Sequence, residues 1–381
     1  MRRERSVPRF GFERIIESQG MAFHRTSHPV DAERAYWDES VHYVFEMAEV
    51  EALEEVVEEL HRMCLDVVEH VVSTGRYHVL GVPEWSWPLI EASWVRGDPH
   101  LYGRFDLRYD GRGPAKLLEY NADTPTTLVE SSVVQWFWKE DVFPADDQWN
   151  SIHEALIARW SRIAPEALTH FAWSAEEESG EDAMTIAYIQ ETAEQAGVDC
   201  MAIAVEDIGW HPGIERFVDL DERPITMVCK LYPWEFLVSD DFGRHVRQAG
   251  WVEPMWKMVL SNKALLVLLW ELFPGHPNLL PAYLNAPGPL ESYIRKPLLG
   301  REGGNMRIVT PEDGLVVEMP GEYGAEGFVF QEFRALPEFD GEHAVLGAWV
   351  VGDESVGLGI RETTGLITDD SSSFVPHRIP Q

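Results

Sequence analysis

The chain reads as a mixed α/β protein, and three stretches of its 381 residues predict this. Residues 185–196 carry apolar side chains at helical spacing, stop at Gly197 and run into the apolar strand CMAIAV, a helix–strand unit typical of α/β proteins. From about residue 225 the pattern turns to short strands and loops: ITMVCKLY, YIRKPLL, MRIVT, GFVFQEF, HAVLGAWVV and VGLGIRE. Between residues 101 and 123 two alternating runs flank Asp110-Gly111-Arg112-Gly113, a cluster suited to the positive backbone angles of a tight reversal, which predicts a β-hairpin.

In chain order, the first strong element is a helix over 51–75. There Leu53, Val56, Val57, Leu60, Cys64, Val67, Val68, Val71 and Val72 form one stripe, Gly75 ends it, and its glutamates form a solvated face. The hairpin follows, then a helix from about Asp147 to Ile163 stopped near Pro165, then the 185–196 unit. A further helix, SNKALLVLLWELF, separates the first two of the later strands. No internal repeat or low-complexity tract is evident, and a division near residue 220 is expected, with a helical and α/β region over 1–220 and a nucleotide-binding region over 221–381.

Composition narrows the function. With 65 acidic and 31 basic residues the formal charge is −34, which argues against nucleic acid or an anionic membrane as partner and would attract cations such as polyamines. No apolar run approaches the ~20 residues that span a bilayer, and MRRERSVPRFGFER lacks a signal-peptide core, so the cytoplasm is the expected location. Cys64, Cys200 and Cys229 are widely spaced, which suits buried apolar thiols better than disulfides or zinc ligands. Only six basic residues are lysines (Lys116, Lys139, Lys230, Lys257, Lys263 and Lys296), so each merits attention.

Strand alternation puts Arg104 and Asp106 on one face of the first hairpin strand, and Glu119 and Asn121 on one face of the second. Folding about the turn brings the pairs within one register step. Asp, Glu and Asn offer hard oxygen ligands and Arg a phosphate-matched fork, the chemistry that holds Mg²⁺ against nucleotide phosphates. Alone, such a pattern is more often a solvated strand face. The strand bearing Lys296 runs into Gly300-Arg301-Glu302-Gly303-Gly304-Asn305, a loop whose backbone can close over phosphates. It is neither a P-loop nor a dinucleotide fingerprint. Lys263 starts an otherwise apolar helix, from which it can reach a phosphate or snorkel to solvent. Gln331 and Glu332 end an apolar strand in a way that suits an adenine edge, and Arg361 follows the last hairpin.

Together these pieces resemble an ATP-grasp enzyme, and over nearly the whole chain their order resembles the glutathionylspermidine synthase family. The stretches that carry the likeness are KLLEYNADTPTTLVE, SNKALLVLLWELFPGH, YIRKPLLGREGGN, FQEFRALPEFDG and GIRETTG. The R-x-D and E-x-N elements precede the lysines and glycine loop, whereas many ATP-grasp ligases place them last. The resemblance therefore implies an ATP-grasp fold with a pre-ATP-grasp α/β domain and circularly permuted motif order.

The same resemblance implies roles. Asp106, Glu119 and Asn121 match magnesium ligands, with two ions expected. Arg104 matches an arginine between nucleotide and acid substrate, and Arg361 one near the transferred phosphate. Lys263, Lys296, Glu302, Gly303 and Gly304 match phosphate contacts, Gln331, Glu332, Phe333 and Arg334 the adenine side, and Leu366 and Ile367 the adenine pocket. Thr124 and Thr126 fall where family members touch a peptide substrate. Two departures stand out: Val345 replaces an expected glutamine, and Pro125 interrupts the acid-substrate segment. No amidase activity is expected, because the chain starts directly in the synthetase-like region. The implied activity is an ATP-dependent carboxylate–amine ligase acting through an acyl phosphate, joining a peptide or amino-acid carboxylate to a polyamine or other amine. The rivals are a non-catalytic ATP or polyamine sensor on the same fold and a saccharide hydrolase suggested by fifteen tryptophans and many carboxylates. His24 and His28 have metal-clamp spacing, but Pro29 makes a loop the better reading.

Overall fold

A computed structural model describes residues 1–21, 35–163, 168–177, 179–312, 314–369 and 371–381. His24 and His28 lie outside the described residues. The long helix Met47–Thr74 buries Leu53, Val57, Leu60, Cys64, Val67, Val68 and Val71 of the expected stripe, leaves Val56 and Val72 half-buried, and adds Val50. It begins earlier than the apolar pattern alone suggests, because Glu46 and Glu49 form a reciprocal capping box. It ends at Gly75, whose φ of 69° no β-carbon favours and whose N–H donates to the Val71 carbonyl.

The predicted hairpin forms from Tyr102–Arg108 and Lys116–Asn121, and Arg104 pairs with Asn121 and Asp106 with Glu119 across it. The two residue pairs therefore sit on matching rungs. Tyr102–Arg108 also pairs with Glu342–Val351, which continues to Glu354–Thr363 and Ser373–Phe374. One antiparallel sheet thus unites the early hairpin with the last long hairpin, bearing Arg361. The helix Met47–Thr74 shares one hydrophobic core with this sheet through Phe105, Leu107, Leu346, Leu358 and Ile360. Each fully buried Leu or Ile in such a core contributes about 1.5–3 kcal/mol relative to exposure.

A second antiparallel sheet has the order Ala282–Leu284, Phe328–Glu332, Tyr293–Pro297, Arg307–Thr310, Gly314–Glu318. It meets the first sheet where Lys296 Nζ donates to the Leu118 carbonyl at 2.8 Å and Gln331 Nε2 to the Leu117 carbonyl at 3.0 Å. The helix Ala264–Leu272, apolar all round as far as Leu269, packs between the second sheet and the long helix, with Ala264 to Leu269 buried.

The helix–strand unit appears as Glu181–Gln195 followed by Cys200–Ala204. Its strand belongs to a parallel sheet ordered Gly250–Val252, Met227–Leu231, Thr169–Trp173, Cys200–Ala204. Residue 220 therefore falls in the connection between Arg216–Val218 and Met227–Leu231, and the parallel sheet draws strands from both sides of it. The helix expected from Asp147 starts at Ile152 instead, because the Asp147 backbone exchanges hydrogen bonds with Ile379. Cys64 and Cys229 are buried and all three thiols are free. No described helix is long and apolar enough to cross a membrane.

Candidate active site

Between the two antiparallel sheets and the edge of the parallel one lies a cavity of about 590 Å³. It is lined by Arg104, Asp106, Glu119, Asn121, Thr124, Thr126, Lys263, Lys296, Glu302, Gly303, Gln331, Glu332, Phe333, Arg334, Arg361, Leu366 and Ile367. Of the residues matched to metal, nucleotide or substrate roles, Gly304 alone is missing from this lining; it packs under the Tyr323 ring. Val345, the departure from the expected glutamine, is also on the wall.

At the centre, Asp106 is gripped from two strands. Arg104 Nε donates to its Oδ1 at 2.8 Å, and Arg361 Nη2 donates to its Oδ2 at 2.6 Å. Arg104 also donates to the Thr127 hydroxyl at 3.0 Å and to the Thr126 carbonyl, so the guanidinium ties the hairpin to the following loop. Gly347 faces this arginine: a β-carbon there would lie 2.9 Å from Arg104 Cδ, so glycine on the neighbouring strand makes room for it.

Glu119 lies 3.2 Å from Lys263 Nζ. Burial alone would raise its carboxyl, but Lys263, Lys296 and Arg361 outweigh burial and hold it down to about 2. The carboxylate therefore stays ionised at any working pH. Lys263 caps the positive end of the helix Ala264–Leu272, a poor place for a cation unless an anion faces it. Glu119 is one such anion, and a phosphate is another. Lys296 is pushed down to about 8 by burial, against the pull of Glu119. Its ammonium is aimed by the Leu118 carbonyl and by Gln331 Oε1 at 2.9 Å. The side chain of Gln331 is thus spent on positioning Lys296.

The glycine-rich loop closes against the segment after Arg361. Glu302 and Gly303 have φ of 50° and 70°, and a β-carbon at Gly303 would meet Ile367 Cγ2 at 2.9 Å. Met306, Ile308 and Ile367, with Ile294, Phe333 and Leu366, make this end of the cavity apolar, as a planar base requires.

The opposite wall went unseen in the sequence. Glu177, Glu181, Asp182 and Glu235 line it, with Tyr36 and Arg301. Burial, then Glu130 and Asp182, push Glu181 up to about 8, and burial with Glu177 pushes Asp182 up to about 6. Glu130 is fully buried behind the wall, accepts from the Tyr36 hydroxyl at 2.6 Å, and is likewise raised by burial. Arg301 bridges Glu235 at 3.0 Å and the Thr124 hydroxyl at 3.3 Å. Beneath them, Asp123 accepts from Lys230 Nζ at 2.5 Å and from the Trp234 N–H at 2.8 Å, locking the threonine loop to the parallel sheet. The scarcity of lysines was the one sequence signal for Lys230. The acidic residues carried none, since Glu177, Glu181 and Asp182 precede the helix expected over 185–196, which the structure starts at Glu181.

Comparison with known proteins gives the family. The glutathionylspermidine synthase preATP-grasp family model matches residues 3–380. A Haemophilus influenzae protein provisionally named an acid–amine ligase is 43% identical over 356 residues, covering 90% of each chain. Trypanothione synthetase of Crithidia fasciculata is 29% identical, covering 84% of this chain, and the bifunctional glutathionylspermidine synthetase/amidase of Escherichia coli is 25% identical, covering 88%. The chain spans 54% and 59% of the length of those two relatives. A glutathione synthetase-like effector from Globodera pallida shares the fold, with a TM-score of 0.52, 9% identity and 98% of each chain covered. The chain belongs to the glutathionylspermidine synthase family.

Proposed function

We propose that this chain is an ATP-dependent carboxylate–amine ligase that joins a peptide or amino-acid carboxylate to a polyamine or other amine through an acyl phosphate. One observation carries the reading: three hard-oxygen side chains, six cationic side chains and a separate acidic wall share a single cavity. The names of the relatives, an acid–amine ligase and synthetases, support the reaction class.

Asp106, Glu119 and Asn121 offer only oxygen donors toward an ion, and Glu119 is kept ionised, which fits Mg²⁺ and not a thiophilic metal. When bound, two such ions would neutralise charge on the nucleotide phosphates. Lys263 and Lys296 would bind the same phosphates, with Glu302 and the backbone of Gly303 and Gly304 covering them. The base would lie by Gln331–Arg334, Leu366 and Ile367.

The acid is held near Thr124 and Thr126, with Arg104 and Arg301 at hand for its carboxylate. A carboxylate oxygen attacks the γ-phosphorus, the bond from that phosphorus to the ADP oxygen breaks, and an acyl phosphate results. Arg361 and Arg104 stabilise charge on the moving phosphoryl group and then on the tetrahedral oxyanion. The amine nitrogen attacks the acyl carbon, inorganic phosphate leaves, and the nitrogen loses a proton. The wall of Glu177, Glu181, Asp182 and Glu235 suits the ammonium groups of a polyamine. Burial, and then repulsion from neighbouring acids, raises Glu181 and Asp182, a strain that a bound cation relieves. Their values near neutrality also suit proton exchange with the attacking nitrogen.

The test is a mass-resolved screen of acid and amine pools with ATP, read together with ADP release. A condensation product formed only with ATP is expected. Tight ATP binding without turnover under any pairing would favour a sensor on the same fold.

A further inference from the structure

Away from the cavity, three side chains distant in sequence converge. His61 lies on the long helix Met47–Thr74, His100 lies two residues before the strand Tyr102–Arg108, and Asp353 occupies the turn between Glu342–Val351 and Glu354–Thr363. His61 Nε2 lies 3.3 Å and His100 Nε2 3.4 Å from the same Asp353 Oδ1, and the three ligand atoms lie within 4.8 Å of one another. The two imidazoles are parallel, with ring centroids 5.8 Å apart. None of the three lines the cavity described above. We propose that His61, His100 and Asp353 form a binding site for a divalent transition-metal ion of zinc-like chemistry, with the remaining coordination position open to water.

Something positive must separate each imidazole nitrogen from the shared carboxylate oxygen, either an N–H proton or a metal ion. A charge-assisted N–H···O bond draws its atoms to about 2.7–2.9 Å. Both separations here are longer. In a tetrahedral site the ligand–ligand edge is about 1.6 times the bond length, so zinc bonds of about 2.0–2.1 Å give an edge of about 3.3–3.4 Å. The two nitrogen–oxygen distances have that value, and all three ligand atoms lie within 4.8 Å of one another. Ligand softness agrees, since two imidazoles and one carboxylate suit zinc-like ions and not Mg²⁺.

The surroundings are those of a prepared site. His61 and His100 are both buried. The other nitrogen of His61, Nδ1, meets the Tyr120 hydroxyl at 3.3 Å, which orients the ring. His100 Nδ1 is buried without a protein partner. The backbone of each ligand segment is fixed as well: Arg159 donates to the His100 carbonyl at 2.8 Å, and the Gly352 N–H to the Leu101 carbonyl at 2.7 Å. The nearby cations are already engaged, Lys257 by Glu253 at 2.6 Å and Arg159 by that carbonyl. The Asp353 side chain is 66% exposed, which gives an ion a way in and leaves room for water. A metal here would fasten the helix to the far ends of the strands that carry Arg104, Asp106 and Arg361.

The experiment uses the full chain without a histidine tag, stripped with chelator, desalted and given Zn²⁺ before gel filtration. One zinc per chain should be retained by elemental analysis, and the melting temperature should rise by roughly 3–8 °C at saturation. Co²⁺ in its place should give the visible ligand-field bands of a low-coordinate nitrogen site. Asp353→Ala, an exposed position that keeps the fold, should weaken zinc retention at least tenfold, as should His100→Gln. Glu119→Gln, in the cavity, should leave it unchanged. Zinc that washes off the wild-type chain, or stays equally on Asp353→Ala, would overturn the assignment.

Discussion

Two half-buried carboxylates in one cavity are driven in opposite directions. Glu119, on the hairpin, is held down to about 2 by Lys263, Lys296 and Arg361 despite its burial, whereas Glu181, on the opposite wall, is pushed up to about 8 by burial beside Glu130 and Asp182. The difference lies in what each faces. At the hairpin end each acid has a cation: Asp106 has Arg104 and Arg361, and Glu119 has Lys263. At the wall the acids face mainly one another. A region already neutralised is prepared to hold an anionic nucleotide with its counter-ions, and a region whose acids hold their protons for want of a cation is prepared to receive one.

The strongest way to break this comparison is to cut the tie between its two ends. Asp123→Ala leaves the fully buried Lys230 unpaired, so a loss of about 3–5 kcal/mol of stability is expected in denaturant unfolding, with the threonine loop released. If the midpoint barely moves, Asp123 is not the clamp. Next comes Glu119→Gln. It should keep the fold and reduce ATP consumption by about 10²–10³-fold. Near-normal turnover would remove the hairpin from the chemistry.

Changes at the acidic wall should be gentler and of a different kind. Glu181→Gln should raise the KM for the amine about tenfold, equivalent to about 1.4 kcal/mol, while the KM for ATP stays put. The pH dependence has a definite sign. Glu181 and Asp182 ionise only as pH passes about 8 and about 6, and an aliphatic amine remains protonated to about 10. Amine affinity measured by calorimetry should therefore increase from pH 6 to 8.5, with protons released on binding at pH 7, and Glu181→Gln should flatten the rise. An affinity that falls over this range would reverse the reading of the wall. Smallest of all, Thr124→Val removes one neutral hydroxyl partner of Arg301 and should raise the KM for the acid about threefold, in line with about 0.5–1.5 kcal/mol for such a bond.

What sequence revealed follows the same division. The hairpin was legible because its four polar residues lie in two alternating strands joined by one turn, so a period of two fixes their common face. Lys263, Lys296 and the glycine loop were legible as local patterns beside apolar strands and helices. The wall was not, because Glu177, Glu181 and Asp182 acquire meaning only when a helix start is packed against a cavity formed by distant strands. Lys230 and Asp123 are separated by 107 positions, and His61, His100 and Asp353 come from a helix, a loop and a turn. Their proximity is a product of tertiary packing. Gln331 shows a subtler limit: its place beside the nucleotide segment was readable, but its side chain orients a lysine instead of facing the cavity freely.

The most direct test of the account is calorimetric titration with Mg²⁺ and a non-hydrolysable ATP analogue, comparing the wild-type chain with Glu119→Gln and Lys296→Met. The account predicts one equivalent bound by the wild type, a loss of at least about tenfold in affinity for each variant, and no binding without Mg²⁺. Equal affinity for all three proteins, or binding indifferent to Mg²⁺, would contradict it.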